Sequence, residues 1–336
     1  MKLIDLDTKK RQEIIGNVSQ LTGLVPVSIE KDWWVVQVLQ ALFSLPYCEH
    51  ISFKGGTSLS KCWHLIERFS EDVDVAIDHE FLGFEEPLSK TQISDKLRRA
   101  SCSFVRERLR NDLREQLLKL GIGEDLFNIS VNITSITTTD PETISVGYKS
   151  VFQPSDYISS TVKVEVSGRS MREPVVQGTV RSIIDENYPD AVFAGTPVDV
   201  RVVSAERTFL EKMFLLHEEL AKPPEQIRVS RMSRHIYDLE RMSNAGVADN
   251  ALADENLYRK VVEHRRKYIG LKGFDYNELY PQTIRIVPTD TTSKMWRDDY
   301  KTMREQMVYG EAPMYDELLE FLSALNNRVS ALPYHS

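Results

Sequence analysis

At 336 residues the chain is long enough for a sizeable core and two lobes. Apolar residues make up 41% and charged residues 27%, ordinary proportions for a globular protein, which excludes wholesale disorder. The net charge of −8 excludes a surface coated in positive potential while leaving room for a local basic groove. The N-terminus lacks the charged-then-apolar pattern of a secretory signal and no stretch approaches the length of a membrane span. A cytoplasmic protein without a membrane partner is expected. Cys48, Cys62 and Cys102 show no metal-type spacing, and their odd number fits reduced thiols.

In chain order, residues 8–22 read as a short polar helix, after which Pro26 and Ser28 interrupt and restart the chain. A strong helix is predicted over 30–45, where Trp34, Val35, Val38, Leu39 and Leu42 recur at three and four, with Ser28 as its cap. Next comes Phe53-Lys54-Gly55-Gly56-Thr57-Ser58-Leu59, a glycine pair after a short apolar run. The glycines let backbone approach a phosphate with no Cβ in the way, and Thr57 and Ser58 are placed to cap the helix that follows.

Arg68-Phe69-Ser70-Glu71-Asp72-Val73-Asp74-Val75 then reads as a strand of period two. Asp72 and Asp74 share one face and the valines the other. Two adjacent carboxylates repel, and a hard divalent cation between them, bridging nucleotide phosphates, removes the repulsion.

Residues 80–90 form a loop, and a charged helix is expected from about 93 to 120. Leu97, Val105, Leu109, Leu113 and Leu117 make its stripe, and Gly121 stops it. Arg98, Arg99, Arg106, Arg110 and Arg114 on the other face read as solvated surface, with an RNA-facing role as the sharper reading. Strands are predicted over 128–136, 161–167 and 198–203, and the polar segment with Pro141, Gly147 and Pro154 reads as a hairpin or lid. Glu165 points away from the valine face with Lys163, either as an exposed pair or as a third carboxylate beside the first two.

Ser204 caps a helix whose stripe of Phe209, Lys212, Met213, Leu216 and Leu220 puts a lysine on the face to be buried. Lys212 either snorkels or reaches a phosphate. In the next helix Asp238 lies four residues from Arg234 and three from Arg241, spacings of a surface ion pair. Arg228, Arg231 and Arg234, with Arg265, Arg266 and Lys267, are positioned to give this region a positive field. From Ala253 on the chain reads as helices broken near Gly270–Gly273, Pro281 and Pro288.

The glycine motif followed by Arg68-x-Ser70-x-Asp72-x-Asp74 resembles the DNA polymerase β-like nucleotidyltransferases, and the fuller string resembles the AbiEii/AbiGii (MenT-type) toxin family. Glu30-Lys31-Asp32-Trp33, Glu206-Arg207-Thr208-Phe209-Leu210-Glu211-Lys212, Arg234-His235-Ile236-Tyr237-Asp238-Leu239 and the segment after Trp296 also look like that family's motifs, in matching order. The resemblance implies an α+β fold, a mixed sheet with flanking helices plus a helical C-terminal lobe. The expected divisions are an N-terminal segment 1–29, a nucleotidyltransferase lobe 30–203 and a lobe 204–336 that completes the cleft.

The resemblance further implies catalytic Asp72, Asp74, Glu165, Lys212 and Asp238, the three acidic residues Asp72, Asp74 and Glu165 holding two Mg2+ ions. Lys54, Gly55, Gly56, Thr57, Ser58, Arg68, Ser70 and Lys212 would bind the NTP. The expected activity is that of a toxin of a toxin–antitoxin or abortive-infection system, moving NMP from NTP to RNA, a tRNA, with a cognate antitoxin as partner. Two other readings are a transferase acting on a small hydroxylated molecule and a protein that binds a nucleotide or partner without turnover.

Overall fold

The computed structural model describes residues 1–131, 142–153 and 158–334. The chain divides into two compact units, the first built of Met1–Cys62 and Phe69–Val203, the second of Trp63–Arg68 and Ser204–Ser336.

The first unit opens with α1 (Thr8–Thr22), capped by the Asp7 carboxylate, and α2 (Pro26–Phe43). Pro26 begins the second helix instead of breaking the chain: at the first helical position its missing N–H costs nothing and its fixed φ suits the turn. Ser28 therefore lies inside the helix and does not cap it. Next come β1 (Ile51–Lys54), α3 (Gly55–Lys61) and β2 (Asp72–Ile77).

Residues 92–119 are helical as expected. They include α4 (Arg98–Phe104) and α5 (Arg110–Lys119), each preceded by a stretch of wider π winding. Arg98, read as solvated, is buried, and Arg106 pairs at 2.8 Å with the buried Glu142.

β3 (Phe127–Val131) is the described part of the strand predicted over 128–136, the remainder lying outside the described residues. The segment read as a hairpin or lid contains β4 (Glu142–Tyr148), while Pro141 and Pro154 are outside the described residues. Gly147 does not end that strand, because the Asn128 side chain fills the place its Cβ would take. β5 (Thr161–Ser167), β6 (Val175–Val180), the short α6 (Ile183–Asn187) and β7 (Val198–Val203) complete the unit. β6 has no sequence signature because it is an edge strand with few buried positions.

The seven strands form one mixed sheet in the order β3-β4-β5-β2-β1-β7-β6. β1 runs parallel to β7 and β2 parallel to β5, the other neighbours being antiparallel. One face is apolar: Phe53, Val73, Val75, Val162, Val164, Val166, Val200 and Val202 are all buried, with α2 packed across β2, β5 and β7. Trp34 of that helix stacks on Tyr148 with ring centroids 5.0 Å apart. The opposite face carries Lys54, Asp72, Asp74, Lys163 and Glu165.

The second unit is helical: α7 (Ala205–Leu220), α8 (Ser233–Asn244), α9 (Val247–Ala253), α10 (Glu255–His264), α11 (Asp290–Gln306) and α12 (Tyr315–Ser330). Ser204 caps α7 by accepting from the Arg207 N–H, and Phe209, Leu210, Met213, Phe214 and Leu216 are buried against the neighbouring helices. Arg265, expected to contribute an outward field, is instead buried and hydrogen-bonded to Glu218 at 2.7 Å. Among the described residues no helix is long and apolar enough to cross a membrane.

Candidate active site

On the polar face of the sheet, Lys54 on β1, Asp74 on β2 and Glu165 on β5 stand abreast in register, and Asp72 is opposite Lys163 one row on. Alternation with Val73, Val75, Val164 and Val166 fixes this: the valines must go under α2, so the carboxylates go to the other side. Burial, then the negative charges of Asp74 and Asp72, pushes the Glu165 carboxyl up to about 7, and Glu165 is hydrogen-bonded to Asp74. Lys54 acts in the opposite direction, favouring the charged form.

Gly55 also has a structural role of its own. Its φ is +80°, and a Cβ there would collide with the Asp74 carboxylate. The glycine thus serves both a left-handed turn and the close approach of the acidic side chain. Because α3 begins at Gly55 with Lys54 as its cap, Thr57 and Ser58 lie within the helix and make no cap. The buried Thr57 hydroxyl donates to the Asp72 carbonyl (2.5 Å) and lies 2.9 Å from the Ser70 hydroxyl, tying α3 to the start of β2. Ser58 donates to the Gly55 carbonyl at 2.8 Å, and Gly56 is half-buried beside it.

Three consecutive charges in α2 support this arrangement, and the apolar stripe read from the sequence did not reveal their partners. Glu30 accepts from the Ser150 hydroxyl (2.5 Å) and the Val151 N–H (2.9 Å). Lys31, nearly fully buried, pairs with Glu71 at 2.6 Å, one residue before Asp72. Asp32 pairs with Lys61 at the end of α3 and accepts from the Ile183 N–H at 2.7 Å. Three adjacent charges in an otherwise apolar helix were the available signal, since buried charges require partners.

In the second unit Asp238 is fully buried. It is therefore no surface ion pair. It receives two hydrogen bonds from the Arg68 guanidinium, both at 2.7 Å, and an ion pair from Lys212 at 2.8 Å. Despite burial, these two cations hold its carboxyl well below the usual carboxylate range. Lys212 also lies 3.4 Å from Nδ1 of His235, whose pKa burial and the nearby cations lower well below the usual value. Neutral His235 therefore presents Nδ1 as an acceptor to the ammonium. Burial lowers the pKa of Lys212 itself, and Asp238 opposes that shift.

As to a metal, the donors on the sheet are carboxylate oxygens, the type a hard divalent ion takes, and the raised Glu165 marks an excess of negative charge that such an ion would neutralise. In the arrangement observed, Glu165 bonds Asp74, and among the described residues no three His, Cys, Asp or Glu side chains stand ready as a ligand cage. The donor set fits; its final arrangement requires the Glu165–Asp74 hydrogen bond to give way.

A mixed sheet with acidic residues aligned on adjacent strands and a Gly-Gly helix start is the build of a nucleotidyltransferase. The family model described as the nucleotidyl transferase AbiEii toxin of a type IV toxin–antitoxin system matches residues 37–326, and the chain belongs to that family. It is accordingly a nucleotidyltransferase that uses an NTP and has an antitoxin as its partner class. Among solved structures it is similar to the nucleotidyltransferase toxin MenT4 of Mycobacterium tuberculosis, with 15% identity over 96% of this chain and 99% of that one and a TM-score of 0.44. It is also similar to JHP933 of Helicobacter pylori, with 14% identity over 93% and 100% of the two chains and a TM-score of 0.36. No protein of curated function matches it in sequence.

Proposed function

We propose that this protein transfers a nucleoside monophosphate from an NTP to the terminal hydroxyl of an RNA, a tRNA, using Mg2+ held by Asp72, Asp74 and Glu165. The reaction joins the acceptor oxygen to the α-phosphorus and releases pyrophosphate. The observation that carries the reading is the acidic row itself: Glu165, in register with Asp74 and beside Asp72, is raised to about 7 by burial and by those two charges. When bound, divalent ions supply charge screening on the phosphates and a lowered pKa for the attacking hydroxyl.

The chain's own residues do the positioning. Gly55 admits the Asp74 carboxylate against the start of α3, and Thr57 holds the Asp72 backbone and Ser70 in place. Lys31 fixes Glu71, the residue next to Asp72, and Asp32 fixes Lys61 at the far end of α3. Lys54, abreast of Asp74, is the cation placed to meet a phosphate oxygen on this row.

The test is incubation of the protein with Mg2+, total tRNA and each α-32P nucleotide in turn, beside an Asp72→Ala/Asp74→Ala control. Label on tRNA that disappears in the control is the expected result. If all four nucleotides leave RNA unlabelled while a small hydroxylated compound accepts label, the RNA acceptor is wrong and the small-molecule reading takes its place.

A further inference from the structure

The polar face of the sheet continues beyond the carboxylates, and its two sides differ. Three rows run across it in register. In the first, Lys54, Asp74, Glu165 and Thr143 stand abreast on β1, β2, β5 and β4. In the second, Asp72, Lys163, Ser145 and Ser130 occupy β2, β5, β4 and β3. The third is Thr161, Gly147 and Asn128. Residues opposed across a ladder point to the same side, so all of these share the face of Asp72 and Asp74.

On the β1 side this face meets Gly55 and the start of α3. Past Glu165, towards β3, the positions of these rows hold only hydroxyls, one carboxamide, one ammonium and Gly147. Lys163, Ser130 and Asn128 are exposed, and Thr143, Ser145 and Thr161 are half-buried. Among the described residues the side chains of these six have no hydrogen-bond or ion-pair partner. A Cβ at Gly147 would collide with the Asn128 carboxamide, so the glycine is what lets that amide lie across β4.

We propose that this strip is the docking surface for the RNA acceptor, with Lys163 on a backbone phosphate and Ser145, Ser130 and Asn128 on ribose hydroxyls and base edges. The inference rests on the transferase reading above and adds a place for the acceptor. In-line displacement puts the attacking hydroxyl and the departing pyrophosphate on opposite sides of the α-phosphorus. With the triphosphate on the side of Lys54 and Gly55, the hydroxyl arrives over β5 and β4. Neutral donors and acceptors suit the 2′-hydroxyls and exposed edges of a single-stranded end better than they suit a triphosphate. From β2 to β3 is three strand spacings, about 14 Å, room for a short single-stranded end.

The test measures label transfer at varied RNA and varied NTP for Lys163→Gln and for the double substitution Ser130→Val/Ser145→Val. One hydrogen bond or phosphate contact corresponds to roughly a two- to tenfold change. The expected result is a KM for RNA raised by about that factor, with the KM for NTP and kcat at saturating RNA within about twofold of the parent. Lys163→Gln should also make the dependence of RNA affinity on salt shallower by about one counterion, a readout that mere loosening of the fold would not give. Equal RNA KM values in parent and variants, or a KM for NTP that rises in parallel, would overturn the strip while leaving the transferase reading standing. A parent protein that labels no RNA would overturn both.

Discussion

Two aspartates expected at the active site, Asp74 and Asp238, sit in opposite electrostatic settings. Asp74 on the sheet is flanked by Glu165 and Asp72, and its row carries one lysine against two carboxyls. Asp238 in the helical unit is a single carboxylate held by a guanidinium and an ammonium. The first group carries surplus negative charge; the second is already saturated by cations of the chain. Burial does not capture this difference, since the better-buried aspartate has every oxygen occupied. Under the proposed function, Asp238 would fix Arg68 and Lys212, and Asp74 would be the group open to substrate.

The largest effect tests the saturated side. Asp238→Ala strands two buried cations and should destabilise the protein by about 3–5 kcal/mol, measured by chemical denaturation. A loss below about 1 kcal/mol would show that Arg68 and Lys212 find other partners.

Next in size is a pH effect that separates buried groups with and without counter-charge. His217 is buried, accepts from the Arg285 N–H at 2.9 Å, and has its pKa pushed down to about 4, chiefly by burial. The unfolded chain therefore takes up this proton first, so stability is complete above about pH 6.5 and declines as pH falls towards 4. The shift corresponds to a loss on the order of 3 kcal/mol, to which His235 adds in the same direction. Asp238 has the depressed pKa of a paired carboxylate, so its contribution is intact throughout that window and is lost only below the unfolded carboxylate range. His217→Phe should flatten the decline between pH 6.5 and 4, and an unchanged slope would remove His217 as its source.

Gly55→Ala should cost about 1–2 kcal/mol from the left-handed φ, and more if Asp74 cannot move aside. Transfer should fall far more than stability does, because the substitution displaces Asp74. Comparable activity in Gly55→Ala would separate Asp74 from the chemistry. The smallest change runs in the other direction: with divalent ions withheld, Asp74→Asn should raise stability by about 1 kcal/mol by relieving the row's like charges, while with Mg2+ restored it should abolish transfer. A drop in melting temperature instead would mean that the row is already balanced.

Much of this was legible locally. The Asp72-Val73-Asp74-Val75 alternation placed both acids on one face, and the helical spacing around Lys212 placed an ammonium on a buried stripe. Short-range periodicity suffices there because a strand or helix fixes the direction of each side chain by geometry alone. What spacing leaves open is the partner. Arg234 and Arg241 lie at the helical spacings for Asp238, yet the residue that grips it is Arg68, 170 positions away in sequence. Thr57 resembled a helix cap until the turn at Gly55 started α3 earlier and directed its hydroxyl to Asp72. Gly147 read as a turn residue because nothing nearby in sequence announces that Asn128 of the neighbouring strand fills its empty side. The sequence by itself determined which side chains share a face, the charged ones among them. Only the tertiary structure decided which of those charges are satisfied, because register and chain crossing bring together residues with no fixed spacing.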